Sequence, residues 1–174
     1  MKKAERLDAL FQQAKESHSS LKRLSVMLQW IIPFNRPHRI RVDEVSDTMV
    51  RASLPYRRKN LNHLKGIHAC AIATLAEYTS GLFLLQRAGA KGYRIIMERL
   101  EVDYHYQARS GIHASFRMDE NEYEERVSNP LKEQGKVSQV LEVSVKDEQD
   151  ELIATAKVHW QLKDWRKTSA PRPE

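Results

Sequence analysis

Two periods divide this chain. Between residues 4 and 32, Leu7, Leu10, Phe11, Ala14, Leu21, Leu24, Met27, Leu28 and Ile31 recur at spacings of three, four and seven, which predicts helices with one apolar stripe. Ser17 to Ser20 interrupt the stretch and offer Ser19 or Ser20 as the cap of a second helix; Pro33 and Pro37 end it. The period then falls to two. Ile40, Val42 and Glu44 oppose Arg39, Arg41 and Asp43, then Val50, Ala52 and Leu54 oppose Met49, Arg51 and Ser53, predicting two strands joined near Ser46 and Asp47. From 67 to 86 runs one long apolar helix, stopped between Gly89 and Gly92.

Four more alternating runs follow. Ile96, Leu100, Val102, Tyr104 and Tyr106 share one face of the first, with a turn at Ser110 and Gly111; Ile112, Ala114, Phe116 and Met118 share one face of the second. Val137, Leu141, Val143 and Val145 form the third set, and Leu152, Ala154, Ala156, Val158, Trp160 and Leu162 the fourth. The Glu-rich stretch 119–135 between them reads as a polar loop. One apolar face per strand fits an antiparallel sheet packed on one side. Strand, strand, long helix and four strands together predict an α+β hotdog fold, a sheet wrapped around one central helix. The expected organisation is a helical extension over 1–35, the hotdog domain over 36–166 and a disordered tail over 167–174. Unpaired sheet edges favour a homodimer or a dimer of dimers.

With 174 residues and 41% apolar content, one domain can build a sizeable core. The lone Cys70 excludes an internal disulfide framework, and His105, His113 and His159 lack metal-cluster spacing, so no metal is expected. A net charge of +6, concentrated in Arg39 and Arg41, Arg57 to Lys59, and Arg166 to Lys167, favours anionic partners. Zinc-finger, phosphate-loop and RNA-recognition motifs are absent, so nucleic acid is not expected. Glu5, Arg6 and Asp8 interrupt any apolar leader after M-K-K, and a cytoplasmic setting is expected. The cationic amphipathic segment before Pro33 fits membrane-surface attachment or packing against the domain, and packing is the expectation.

The chemistry concentrates on the long helix, where Leu75, Ala76, Leu82, Phe83 and Leu84 surround one acid, Glu77. A carboxylate among apolar side chains is costly without a partner or a chemical task. The run His68-Ala69-Cys70-Ala71-Ile72-Ala73-Thr74-Leu75-Ala76-Glu77, preceded by Asn62 and Gly66, resembles the helix-start motif of hotdog acyl-CoA thioesterases of the phenylacetate-degradation type, and most resembles a hotdog branch described as a domain of unknown function. Leu100 to Gly111 is similar to the strand and turn that follow the helix in that family. Ala69 and Cys70 stand where the family has two glycines, and Glu77 takes the place of its catalytic acid.

The resemblance implies hydrolysis of an acyl-CoA or acyl-carrier-protein thioester, with coenzyme A as part of the substrate and no separate cofactor. It gives Glu77 the role of general base, Asn62 and His68 the task of orienting reactants, and the Ala69 and Cys70 amides, beside Gly66, the oxyanion. Direct attack by the Glu77 carboxylate is a related route. Arg57, Arg58 and Lys59 resemble a clamp for the coenzyme phosphates. A non-catalytic protein that binds acyl-CoA or fatty acid in the same groove is the alternative.

Overall fold

The computed structural model describes residues 3–89 and 91–165. Two helices, α1 (Lys3–Glu16) and α2 (His18–Ile31), precede strands β1 (Arg41–Val45) and β2 (Met49–Leu54). The long helix α3 (Ala69–Ala88) follows, then β3 (Tyr93–Tyr104) and β4 (Ile112–Arg117). A short helical segment leads on to β5 (Lys136–Asp147) and β6 (Leu152–Asp164). The six strands form one antiparallel sheet in the order β1-β2-β4-β5-β6-β3, and α3 lies against β2, β3, β4, β5 and β6. This is the hotdog arrangement. Leu75, Ala76, Leu82, Phe83 and Leu84 of α3 are fully sequestered among Val50, Leu54, Ala114, Leu141, Val143, Ala156 and Val158 of the sheet.

An apolar helix that also carries hydroxyls must satisfy them internally. Thr79 donates to the Leu75 carbonyl at 2.7 Å, Thr74 to Cys70 at 2.8 Å and Ser80 to Ala76 at 3.2 Å, so each costs the core little. The sheet's two edges are treated differently. At β1, the Ser25 hydroxyl of α2 donates to the Leu21 carbonyl and accepts from the Val42 amide at 2.9 Å, while Gln29 Nε2 donates to the Ile40 carbonyl at 3.3 Å. With Leu21, Leu24 and Leu28 buried behind them, α1 and α2 cover that edge. Among the described residues no helix covers the outer edge of β3, whose Ile96, Met97 and Tyr104 are exposed.

Four expectations need correcting, the first in β3, where a bulge between Met97 and Arg99 shifts the alternation so that Ile95 packs on the core with Leu100 and Val102 while Ile96 is exposed. The second helix starts at His18 with Ser17 at its N-cap, not Ser19 or Ser20. In β1 a bulge between Val42 and Glu44 shifts the alternation by one, so Val45 turns inward and Glu44 outward. The stretch 119–135 is not a featureless loop. It forms α4 (Glu120–Tyr123), a π-helical turn (Glu124–Ser128) and α5 (Asn129–Gln134), burying Tyr123, Val127 and Leu131. Asp119 caps this segment by accepting from the Glu122 amide at 2.8 Å, and Gly135 closes it at φ 69°, a left-handed conformation that glycine adopts without strain. Tyr123 meets the Phe83 ring edge-on at 6.1 Å, with the Arg87 guanidinium 4.3 Å from its own ring. The expected tail 167–174 lies outside the described residues.

Leu131→Ala should therefore destabilise the fold by about 2–5 kcal/mol in chemical denaturation. Glu125→Ala, on the solvent side of the same segment, should shift it by less than about 0.5 kcal/mol. Equal small effects would mean the segment is peripheral.

Candidate active site

The loop before α3 is built by two asparagines. Asn62 Oδ1 accepts from the Leu64 amide at 2.9 Å and the Gly66 amide at 3.1 Å, and the Asn62 amide donates to the Gly66 carbonyl at 2.8 Å. Its carbonyl-type oxygen is thus committed to the turn. Asn60, which the sequence reading passed over, is buried and ties three segments together. Its Nδ2 donates to the carbonyls of His38 (3.1 Å) and Pro55 (2.9 Å), while its own backbone carbonyl accepts from the His68 amide at 2.8 Å. Only its place in a run of polar loop residues was legible, and polar loop residues are usually solvated.

His68 is the N-cap of α3, in extended conformation, with Nδ1 accepting from the Cys70 amide at 3.1 Å. The Ala71 amide bonds the His68 carbonyl at 2.9 Å. Of the two amides expected to hold an oxyanion, Cys70 therefore already has a partner. The Ala69 amide has none among the described residues, and it points out of a helix N-terminus, where the dipole favours negative charge. On the other side of Ala69, the Tyr104 hydroxyl donates to its carbonyl at 3.0 Å, joining the start of α3 to the end of β3. Gly66 is buried against Gln107, so a side chain there would displace that residue.

Residues 69, 73, 77 and 81 follow one another at one-turn spacing and are exposed or half-buried, whereas most of the rest of α3 is buried. This stripe runs along the less covered side of α3. Glu77 lies in it, eight residues from Ala69 and so about 12 Å along the axis. The Cα–Cβ direction of helical residues leans its side chain back toward the N-terminus, and so toward the Ala69 amide. Burial pushes the Glu77 carboxyl up from its ordinary 4.5 to about 7. No hydrogen bond reaches that carboxylate among the described residues: Thr79 bonds Leu75, and Asn62 bonds its own turn. Trp160 of β6 supplies part of the desolvation. Its Nε1–H donates to Ser80 at 3.0 Å, and its ring lies so close to Gly81 that a methyl placed there would sit 2.9 Å from Cζ2 and Cη2 and 3.9 Å from Glu77 Oε1.

A family model covers residues 21–162. The chain belongs to the family described as domain of unknown function DUF4442. Comparison with curated proteins gives no match. Among solved structures, the chain is similar to a Pseudomonas aeruginosa protein of unknown function called a probable thioesterase, at 25% identity over 82% of this chain and 95% of that one, with a TM-score of 0.74. It shares its fold with a Haemophilus influenzae thioesterase (12% identity, 90% and 98% covered, TM-score 0.68) and with a Chlorobaculum tepidum protein of unknown function (12%, 87% and 98%, 0.71). This DUF4442 chain is a thioesterase-like hotdog protein.

Arg57 and Lys59 line a cavity between the end of α2 and the loop after β2, while Arg58, in the 3-10 turn Arg58–Asn60, is exposed and does not line it. Cys70 is an exposed free thiol. His159 meets Glu101 at 2.8 Å and His105 meets Thr155 at 3.0 Å on the outer face of the sheet. The described residues contain no cluster of three or more potential metal ligands, and no helix among them is long and apolar enough to cross a membrane.

Two outcomes follow from the surroundings of Glu77. Because the folded state raises the Glu77 pKa, it binds the proton that the unfolded chain has released between 4.5 and about 7; stability falls as pH rises through that window. At about 1.4 kcal/mol per pKa unit, the ionised carboxylate costs up to about 3 kcal/mol. Glu77→Gln should thus be more stable than wild type in urea denaturation at pH 8 and nearly equal to it at pH 4.5. A structural acid stabilised by partners would give the reverse. Gly81→Ala should push the Trp160 ring, costing about 1–3 kcal/mol and altering near-UV circular dichroism.

Proposed function

We propose that this protein hydrolyses an acyl thioester of coenzyme A or acyl carrier protein. The observation that carries the reading is Glu77, a carboxylate on the less covered side of α3 with no hydrogen-bond partner among the described residues and a pKa pushed up to about 7 by burial. A base so tuned is half-ionised near neutral pH and strong enough to take a proton from water. Glu77 accepts that proton as the water oxygen attacks the thioester carbonyl carbon. The oxyanion forms against the Ala69 amide at the helix N-terminus. Collapse of the tetrahedral intermediate breaks the C–S bond, and the proton held on Glu77 passes to the departing thiolate. Asn62 and His68 act through position: one shapes the turn, the other fixes the first turn of α3. The acyl chain runs along Ala73 and Gly81 toward Trp160.

Assembly completes the groove. Tyr104 joins the open β3 edge to the start of α3, so a second copy pairing edge to edge through β3 brings its own surface over the stripe. The reading places this homodimer in the cytoplasm.

One observation favours binding without cleavage: the Cys70 amide is occupied by His68, leaving a single backbone donor for the oxyanion. Thiol release from a panel of acyl-CoAs separates the two readings. Wild type should release thiol, with kcat/KM rising as pH passes through about 7, and Glu77→Gln should lose roughly 10²-fold or more in turnover while still binding. Saturable binding with no thiol release at any pH would sink the enzyme and leave the binder.

A further inference from the structure

The cationic cavity beside the N-terminal helices is outside the reaction just described. It measures about 950 Å³, and its lining contains Arg36, Arg39, Arg41, Arg57 and Lys59 with no acidic side chain. None of these five is in an ion pair among the described residues, although Asp43, two residues along β1, feels the charge of Arg41. Five cations held together without counter-charges repel one another unless an anion joins them.

Exposed apolar side chains adjoin residues that line this cavity. On α2 and the 3-10 turn Pro33–His38 that follows it, Trp30 is 65% exposed, Phe34 68%, Val26 56% and Ile31 45%. Val26 and Trp30 lie on the face opposite Leu21, Leu24 and Leu28, so packing of α2 against the sheet leaves them in water, while Ile31 and Phe34 are exposed at the end of α2 and in the turn after it. The patch and the cavity are physically joined. The Arg36 guanidinium sits 4.2 Å from the centre of the Trp30 ring, Phe34 stands between the cavity-lining Pro33 and Pro37, and its ring lies 5.7 Å from that of His38. Exposed Lys22 and Arg23 extend the positive charge along the same helix. Hydrophobic side chains, two of them aromatic, bordered by arginines form the pattern of a segment that lies in a headgroup layer: the rings enter the acyl boundary while the cations meet phosphate.

We infer that the end of α2, the Pro33–His38 turn and the adjoining Arg36–Lys59 cavity form a docking surface for an anionic phospholipid membrane. A soluble phosphate would use the cations alone and has no need of four exposed apolar side chains. A lipid surface uses both. The expected packing of the N-terminal segment and this membrane contact are compatible, because they engage opposite faces of α2. Docking delivers the enzyme to where long-chain acyl thioesters partition, but the inference stands independently of the reaction.

Co-sedimentation of the full chain with vesicles tests it. Partitioning onto vesicles containing phosphatidylglycerol should exceed that onto pure phosphatidylcholine by at least about tenfold at about 0.1 M salt, and should weaken as salt rises. Trp30→Ala/Phe34→Ala and Arg36→Glu/Arg39→Glu should each reduce it by about tenfold, with unchanged thermal melts, since all four side chains are at the surface. Acrylamide quenching of the Trp30 emission, taken as wild type minus Trp30→Phe, should fall on vesicle binding. Equal binding to both vesicles, or to neither, overturns the proposal. So does saturable calorimetric binding of free coenzyme A that Arg36→Glu/Arg39→Glu abolishes in a protein that ignores vesicles, which assigns the cavity to a soluble phosphate. Loss of an oligomer in Trp30→Ala/Phe34→Ala without vesicle binding assigns the patch to a second copy and equally overturns it.

Discussion

Helix α3 presents apolar side chains around most of its twenty residues, and a helix of that kind stays out of water only if something surrounds it. Five strands do so, curving across it, and the burial of Leu75, Leu82, Phe83 and Leu84 against β2, β4, β5 and β6 supplies the main driving force for the domain. The remaining architecture answers to that constraint. Thr79 and Ser80 turn their hydroxyls back onto the helix, and the segment Glu120–Gln134 closes the core beside Phe83. One stripe of α3 is left uncovered by the single chain, and Glu77 lies in it.

The same constraint sets the electrostatics of the candidate site. The Glu77 carboxylate is desolvated by the wall around it and receives no hydrogen bond among the described residues, so its pKa rises toward neutrality. That perturbation has one physical cause, burial, and Trp160 is part of it. At the helix start, His68 satisfies the Cys70 amide and leaves the Ala69 amide without a partner among the described residues. The sheet's asymmetry completes the arrangement. Ser25 and Gln29 occupy the β1 edge from α2, and among the described residues the β3 edge is left open for pairing.

Much of this was legible in the residue pattern. Periods of 3.6 and 2 located both N-terminal helices, α3 and all six strands, and the hotdog order followed. What escaped had local reasons. The Tyr123, Val127 and Leu131 spacing was diluted by Glu120, Glu122, Glu124 and Glu125, so charge masked a helical stripe. The β1 bulge was invisible because a bulge changes the phase of alternation without changing composition. Asn60 looked like a loop residue, and its burial depends on the His38 and Pro55 carbonyls, brought to it from elsewhere in the chain. The pairing of His68 with the Cys70 amide altered the expected oxyanion donors, a matter of rotamer and backbone angle that no spacing records.

The sequence by itself determined the fold class, the central helix and the identity of the acid upon it, because hydrophobic periodicity is a property of neighbours in the chain and burial follows it directly. Tertiary structure decided which groups were free to act. Whether an amide is capped, a carboxylate is left without a partner, or Arg36 and Arg39 converge with Arg57 and Lys59 on one cavity depends on contacts between residues far apart in sequence, and those distances exist only once the sheet has closed around α3.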